Sequence, residues 1–133
     1  MTGVKFFLAG LGTLASAFFG GFDEALYALL VFLVLDYVTG VLAAIYTKTL
    51  NSSTGLNGII KKVMQLILVG VAATLDGVMG ISDPYFRTAV IYFLLANEGI
   101  SILENMARME IPIPAFLKNI LEQLRDKDKG VTK

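Results

Sequence analysis

A chain of 133 residues that is 56% hydrophobic and only 17% charged, with a mean hydropathy of +0.72, is too oily for an ordinary soluble domain. Its 11 basic and 11 acidic residues cancel, which leaves no electrostatic footprint for nucleic acid. It has no Cys and no His, which excludes disulfides and thiolate metal sites and removes the commonest acid–base group, so most enzyme chemistry is disfavoured.

The first apolar run covers residues 4–22. Gly12, Ser16 and Gly20 recur there at four-residue spacing, a small-residue face that would let a neighbouring backbone approach. A membrane span is the first reading. Two others stay open: a helix lying in the interface, or a cleaved signal with Ala15-Ser16-Ala17 behind the single cation Lys5.

The second run, about 25–47, is the clearest span. It follows Asp23-Glu24 and ends at Lys48, with Tyr27 and Tyr46 near the two edges where amphipathic rings settle. Asp36 stands near its centre, followed by Thr39 and Gly40. Residues 47–58 read as a polar loop, because their Ser, Asn and Gly compete for the backbone.

Lys61 and Lys62 lead into the third run, 63–81, where the small pair Ala73 and Gly77 flanks Asp76. Ser82-Asp83-Pro84 predicts a turn and a helix start. The fourth run, about 85–107, is apolar first and then polar along one face. Asn97, Ser101, Glu104, Asn105 and Arg108 recur there at three- and four-residue steps, beside Glu98. Such a stripe needs a polar partner, water or the headgroup layer.

Ile111-Pro-Ile-Pro breaks the helix. Beyond it, Phe116, Leu117, Ile120, Leu121 and Leu124 predict a short amphipathic helix, followed by a solvated basic tail. The expected organisation is an all-α membrane protein. A membrane domain (residues 1–110) holds four hydrophobic helices, three or four of them spanning, and an amphipathic helix and tail follow (residues 111–133). Lys48, Lys61 and Lys62 flank the middle loop, and five further cations crowd the C-terminus. The positive-inside rule therefore predicts that loop and the C-terminus to be cytoplasmic.

Asp36, Asp76 and Glu98 each lie near the middle of an apolar run, with no cation expected at the same depth. A charge there opposes insertion by about 3 kcal/mol or more. Three roles remain open for these carboxyls: packing between helices, lining of an aqueous path, or ion relay. No phosphate loop or metal-ligand cluster appears, and no cofactor is expected.

Four blocks in succession resemble the toxin-secretion and phage-lysis holins, small membrane proteins of phages and of their relatives beside clostridial toxin genes. They are Asp36-Tyr-Val-Thr-Gly-Val-Leu-Ala-Ala, Asn51-Ser-Ser-Thr-Gly-Leu-Asn-Gly-Ile-Ile-Lys-Lys, Asn97-Glu-Gly-Ile-Ser-Ile-Leu-Glu-Asn and Ile111-Pro-Ile-Pro-Ala-Phe-Leu. Together they cover roughly residues 36 to 125. Glu110 departs from the pattern, which leads one to expect a small residue such as Gly before the last block.

The resemblance implies a non-enzymatic protein that gathers in the host cytoplasmic membrane and oligomerises. It would open lesions that release an endolysin without binding it directly. Export of a large toxin, or a small channel of the pinholin kind, are the alternatives. On this reading Asp36, Asp76, Asn97, Glu98, Ser101, Glu104 and Asn105 are candidates for a polar interior. Gly12, Ser16, Gly20, Gly40, Ala73 and Gly77 are candidates for helix packing, and Lys48, Lys61 and Lys62 for topology. The lipid bilayer and further copies of the chain are the expected partners.

Overall fold

The computed structural model describes residues 1–130, with side chains described through residue 125. The solvated tail expected from Arg125 onward is helical as far as Gly130, and its residues 131–133 lie outside the described residues. Five helices follow in order: α1 (Thr2–Phe18), α2 (Glu24–Tyr46), α3 (Ser52–Val78), α4 (Tyr85–Arg108) and α5 (Ala115–Gly130). The all-α architecture expected from composition is the one found. Of these helices, α2, α3 and α4 are long and apolar enough to cross a membrane, while α1 is a shorter apolar helix of 17 residues.

Local chemistry explains where the helices start. Asp23 caps α2 by accepting the Leu26 amide at 3.0 Å, and Asn51 caps α3 by accepting the Ser53 amide at 2.9 Å. The second cap corrects the sequence reading of residues 47–58. Only 47–51 form the connection, and residues 52–58 are the first two turns of α3. Tertiary packing overrides their loop-like composition. The Tyr37 ring of α2 lies over Gly55 and Gly58, whose missing side chains make room for it.

The first four helices end alike. Gly20, Lys48, Gly80 and Glu110 all adopt left-handed φ, at +79°, +59°, +66° and +62° respectively. The amide that follows each one reaches back to a carbonyl of the last turn: Gly21 to Ser16, Thr49 to Ala44, Ile81 to Asp76, and Ile111 to Met106. Gly20 therefore leaves the small-residue face predicted for it. It is the turn residue after α1, and a Cβ there would meet Arg87 Cδ at 2.9 Å.

Helix α4 is central. Both α2 and α3 pack along it and scarcely touch each other, so a cleft separates them. α1 buries no residue of its own and meets α3 where the Phe18 ring occupies the space beside Gly70. α5 turns back along α4, and a Cβ on Gly99 would fall 2.8 Å from Leu121 Cδ2 and 3.2 Å from Phe32 Cε2. The dry core comprises Leu26, Leu29, Leu33, Val69, Ile91 and Leu94. All six lie toward the end of the bundle where α2 and α4 begin and α3 finishes.

Candidate functional site

Two polar clusters flank that core. The first closes the end of the bundle. Arg87, only 3% exposed, donates from Nη1 to Asp23 Oδ2 at 2.8 Å, from Nη2 to Asp23 Oδ1 at 3.1 Å and to the Gly21 carbonyl at 2.9 Å, and from Nε to the Phe19 carbonyl. The forked guanidinium thus satisfies the exposed carbonyls of the α1–α2 turn together with the α2 cap. Arg87 holds the Asp23 carboxyl below its ordinary range, chiefly through this hydrogen bond.

Asp76 belongs to the same end. Its carboxylate accepts the backbone amides of Phe86 and Arg87, each at 2.9 Å, and so caps α4 from a neighbouring helix. Asp76 is buried, but it does not share a cavity with the other intramembrane acids.

The second cluster lies on the other side of the core, at the middle of the three long helices. Lys62 Nζ donates to Asp36 Oδ2 at 2.6 Å and to Glu98 Oε2 at 2.8 Å. Gln65 Nε2 donates to Glu98 Oε1 at 2.8 Å. Asn105 Nδ2 reaches Asp36 Oδ1 at 3.0 Å, the Asp36 carbonyl at 3.1 Å and Thr39 Oγ1 at 2.9 Å. Each long helix contributes at least one charged group, so the cluster ties α2, α3 and α4 together.

This overturns the expectation that no cation shares the depth of these acids. Lys62 does not stand in a loop. It is in the third turn of a helix that starts at Ser52, and its side chain is only 17% exposed. With two carboxylates and one ammonium, the cluster retains one formal negative charge when all three are ionised. Such charges persist at depth only when paired and hydrogen-bonded.

A polar cavity of about 340 Å³ runs from the cluster to the 47–51 connection. Asp36, Lys61, Lys62, Glu98, Ser101 and Asn105 line it along the bundle, and Arg108, the last residue of α4, lines its connection end. Of the predicted polar-interior residues, the fold therefore brings together Asp36, Glu98, Ser101 and Asn105. Asn97 is half-buried outside the cavity and Glu104 is exposed away from it.

The packing candidates separate in the same way. Gly40 lines the cavity, 3.5 Å from Asn105 Nδ2 when a Cβ is added, and Ala73 packs beside Gly20. Gly12 and Gly77 face open space. Ser16 sits on half-covered α1 surface, and Lys48 is the exposed turn residue after α2.

Sequence reading missed Arg87, Gln65 and Tyr37. A lone cation near a helix start, a glutamine in an apolar run and a tyrosine beside Asp36 carry little signal until their neighbours on other helices are known.

A family model described as "Bacteriophage holin family" matches residues 13–126. An uncharacterized 14.9 kDa protein from the nagH 3′ region of Clostridium perfringens is 46% identical over 124 residues, 93% of this chain and 94% of the relative. An uncharacterized protein of Listeria monocytogenes is 41% identical over 135 aligned positions, covering 94% of this chain and 96% of the relative. A probable holin of Bacillus phage phi105 is 32% identical over 121 residues, 90% of this chain and 89% of the relative. No solved structure matches. The three membrane-length helices fit that family, and the chain belongs to the bacteriophage holins.

Proposed function

We propose that copies of this holin gather in the bacterial cytoplasmic membrane and associate into lesions through which a folded endolysin passes to the cell wall. The observation that supports this most is the Asp36–Lys62–Glu98 cluster at the base of a polar cavity. In a dispersed copy these groups and their cavity sit at a depth where lipid offers them nothing. Association that turns the cavities toward one another would replace lipid by water along that face. Asp36, Glu98, Ser101 and Asn105 would then line the wet side. Asp76, Asn97 and Glu104 lie outside the cavity and would reach a lumen only after rearrangement or beside another copy.

The positive-inside rule supports a cytoplasmic side for the 47–51 connection and the chain's end, while α5 itself packs back along α4 to Gly99, beside Glu98. The work done is physical, the opening of a barrier. It calls for no catalytic group, no cofactor and no direct contact with the endolysin.

The test is inducible expression in bacteria with and without a co-expressed endolysin. Abrupt lysis only when both are present, with leakage of a folded cytoplasmic enzyme, is expected. Ion leakage without protein release would replace this reading by the small-channel one. Asp36→Leu, which removes one arm of the cluster, should shift or abolish lysis. Unchanged timing at equal expression would remove Asp36 from the lesion.

A further inference from the structure

The cleft between α2 and α3 does not end at the polar cavity. An apolar groove of about 330 Å³ continues from it, lined by Leu30, Leu33, Val34, Ile59, Val63 and Leu66. Tyr37 and Lys62 belong to both spaces. The cleft is therefore graded along the membrane normal: cationic at the connection end, and hydrocarbon-lined deeper in.

Two cations of the cavity have no acid partner. Lys62 is engaged by the two carboxylates, whereas Lys61 and Arg108 also line the cavity and, among the described residues, pair with no acid. Arg108 ends α4 at the connection end, and Lys61, beside Lys62 in α3, leans toward that same end because helical side chains tilt toward the N-terminus. Two such cations beside an apolar groove match an anionic amphiphile, with its head toward the connection and its tail along the groove.

The groove is open along its length, with Val34 61% and Val63 51% exposed, so a hydrocarbon chain enters it directly from the bilayer. The uncovered apolar helix of a second copy, α1, carries no acidic residue to meet Lys61 or Arg108.

We propose that this cleft binds one anionic phospholipid from the leaflet on the side of the 47–51 connection. Its phosphate rests on Lys61 and Arg108, and one acyl chain lies in the groove beneath Tyr37. This depends on the helices lying in a bilayer, not on lesion formation, so the two can fail separately.

The test uses the full chain, purified in detergent and stripped of lipid. It is then offered phosphatidylglycerol or phosphatidylcholine, and retained lipid is counted by native mass spectrometry. One phosphatidylglycerol per chain should be retained, with roughly tenfold to thirtyfold preference over phosphatidylcholine from two cations. Lys61→Gln with Arg108→Gln should reduce that preference to about twofold or less, as expected when both charges are removed. Val63→Trp, at an exposed position, should lower retention of both lipids with helix content unchanged. Equal retention of the two lipids by the parent chain would overturn the proposal without reference to any variant. So would a phosphatidylglycerol preference that both variants leave intact, or dimerisation that expels the lipid.

Discussion

Lys62 Nζ lies 2.6 Å from Asp36 Oδ2, joining two helices whose residues stand 26 positions apart. The same ammonium holds Glu98 of the helix between them in the fold, so α2 and α3, which barely meet directly, are linked through a shared charge. The arrangement gives one dispersed chain a paired, hydrogen-bonded interior. With both carboxyls ionised it also leaves one uncompensated negative charge, which favours water over lipid.

Removing the cation alone should be worse than removing the whole cluster. Lys62→Met leaves two largely buried carboxylates without a cation, and breaking such a pair costs about 3–5 kcal/mol. The triple variant Asp36→Asn, Lys62→Met, Glu98→Gln should recover much of that loss. Thermal unfolding in detergent, followed by circular dichroism, checks the order. A single variant as stable as the parent would mean the ion pair does not hold the helices.

Acid should loosen the opposite end of the bundle. The Arg87 hydrogen bond lowers the Asp23 pKa below its ordinary 3.8, so the native state favours the ionised carboxyl. A lowered native pKa contributes stability that is present above the unfolded value and lost as pH falls through the native one. The loss should therefore begin below about pH 4 and be missing from Asp23→Asn. Because Asp23 is half-exposed, solvent screening keeps the difference under about 1 kcal/mol. Unfolding midpoints of the two proteins between pH 2 and pH 6 provide the measurement, and identical acid limbs would contradict it.

Glu110 occupies a left-handed backbone position, which explains why a small residue is expected there from the family pattern. A side chain in that region costs roughly 1–2 kcal/mol, partly offset when glycine loosens the unfolded chain. Glu110→Gly should raise stability by about 1 kcal/mol without shifting the end of α4, and Lys48→Gly should behave alike after α2. Denaturation of both variants against the parent decides the matter.

Gly77 faces open space, with no atom within 4 Å of an added Cβ. Gly77→Leu should therefore leave the folded monomer intact while weakening association of copies through α3. Chemical crosslinking in membranes reads the outcome as a shorter ladder at equal expression. An unchanged ladder would show that this small-residue face does not pack.

The positions of Asp36 and Glu98 were readable because each interrupts a long apolar run, and burial depth along a span follows from counting residues. The role of Lys62 was not. Ser52, Asn57 and the glycines around them look like a loop, and only the Asn51 cap and the Tyr37 ring over Gly55 and Gly58 make them helix. Once α3 begins at Ser52, Lys62 moves from a flank into the interior. Arg87 was hidden for a related reason, since its partners Phe19, Gly21 and Asp23 sit 64 to 68 positions away.

Composition alone made this chain a helical membrane protein, and its ordered motifs placed it among holins. Both properties are sums along one dimension: apolar length against bilayer thickness, and residue types in succession. Which acid found a cation, which capped a helix and which faced outward depended on the rotation and vertical register of separate helices. Side-chain packing against α4 sets that register, so only the assembled bundle could reveal it.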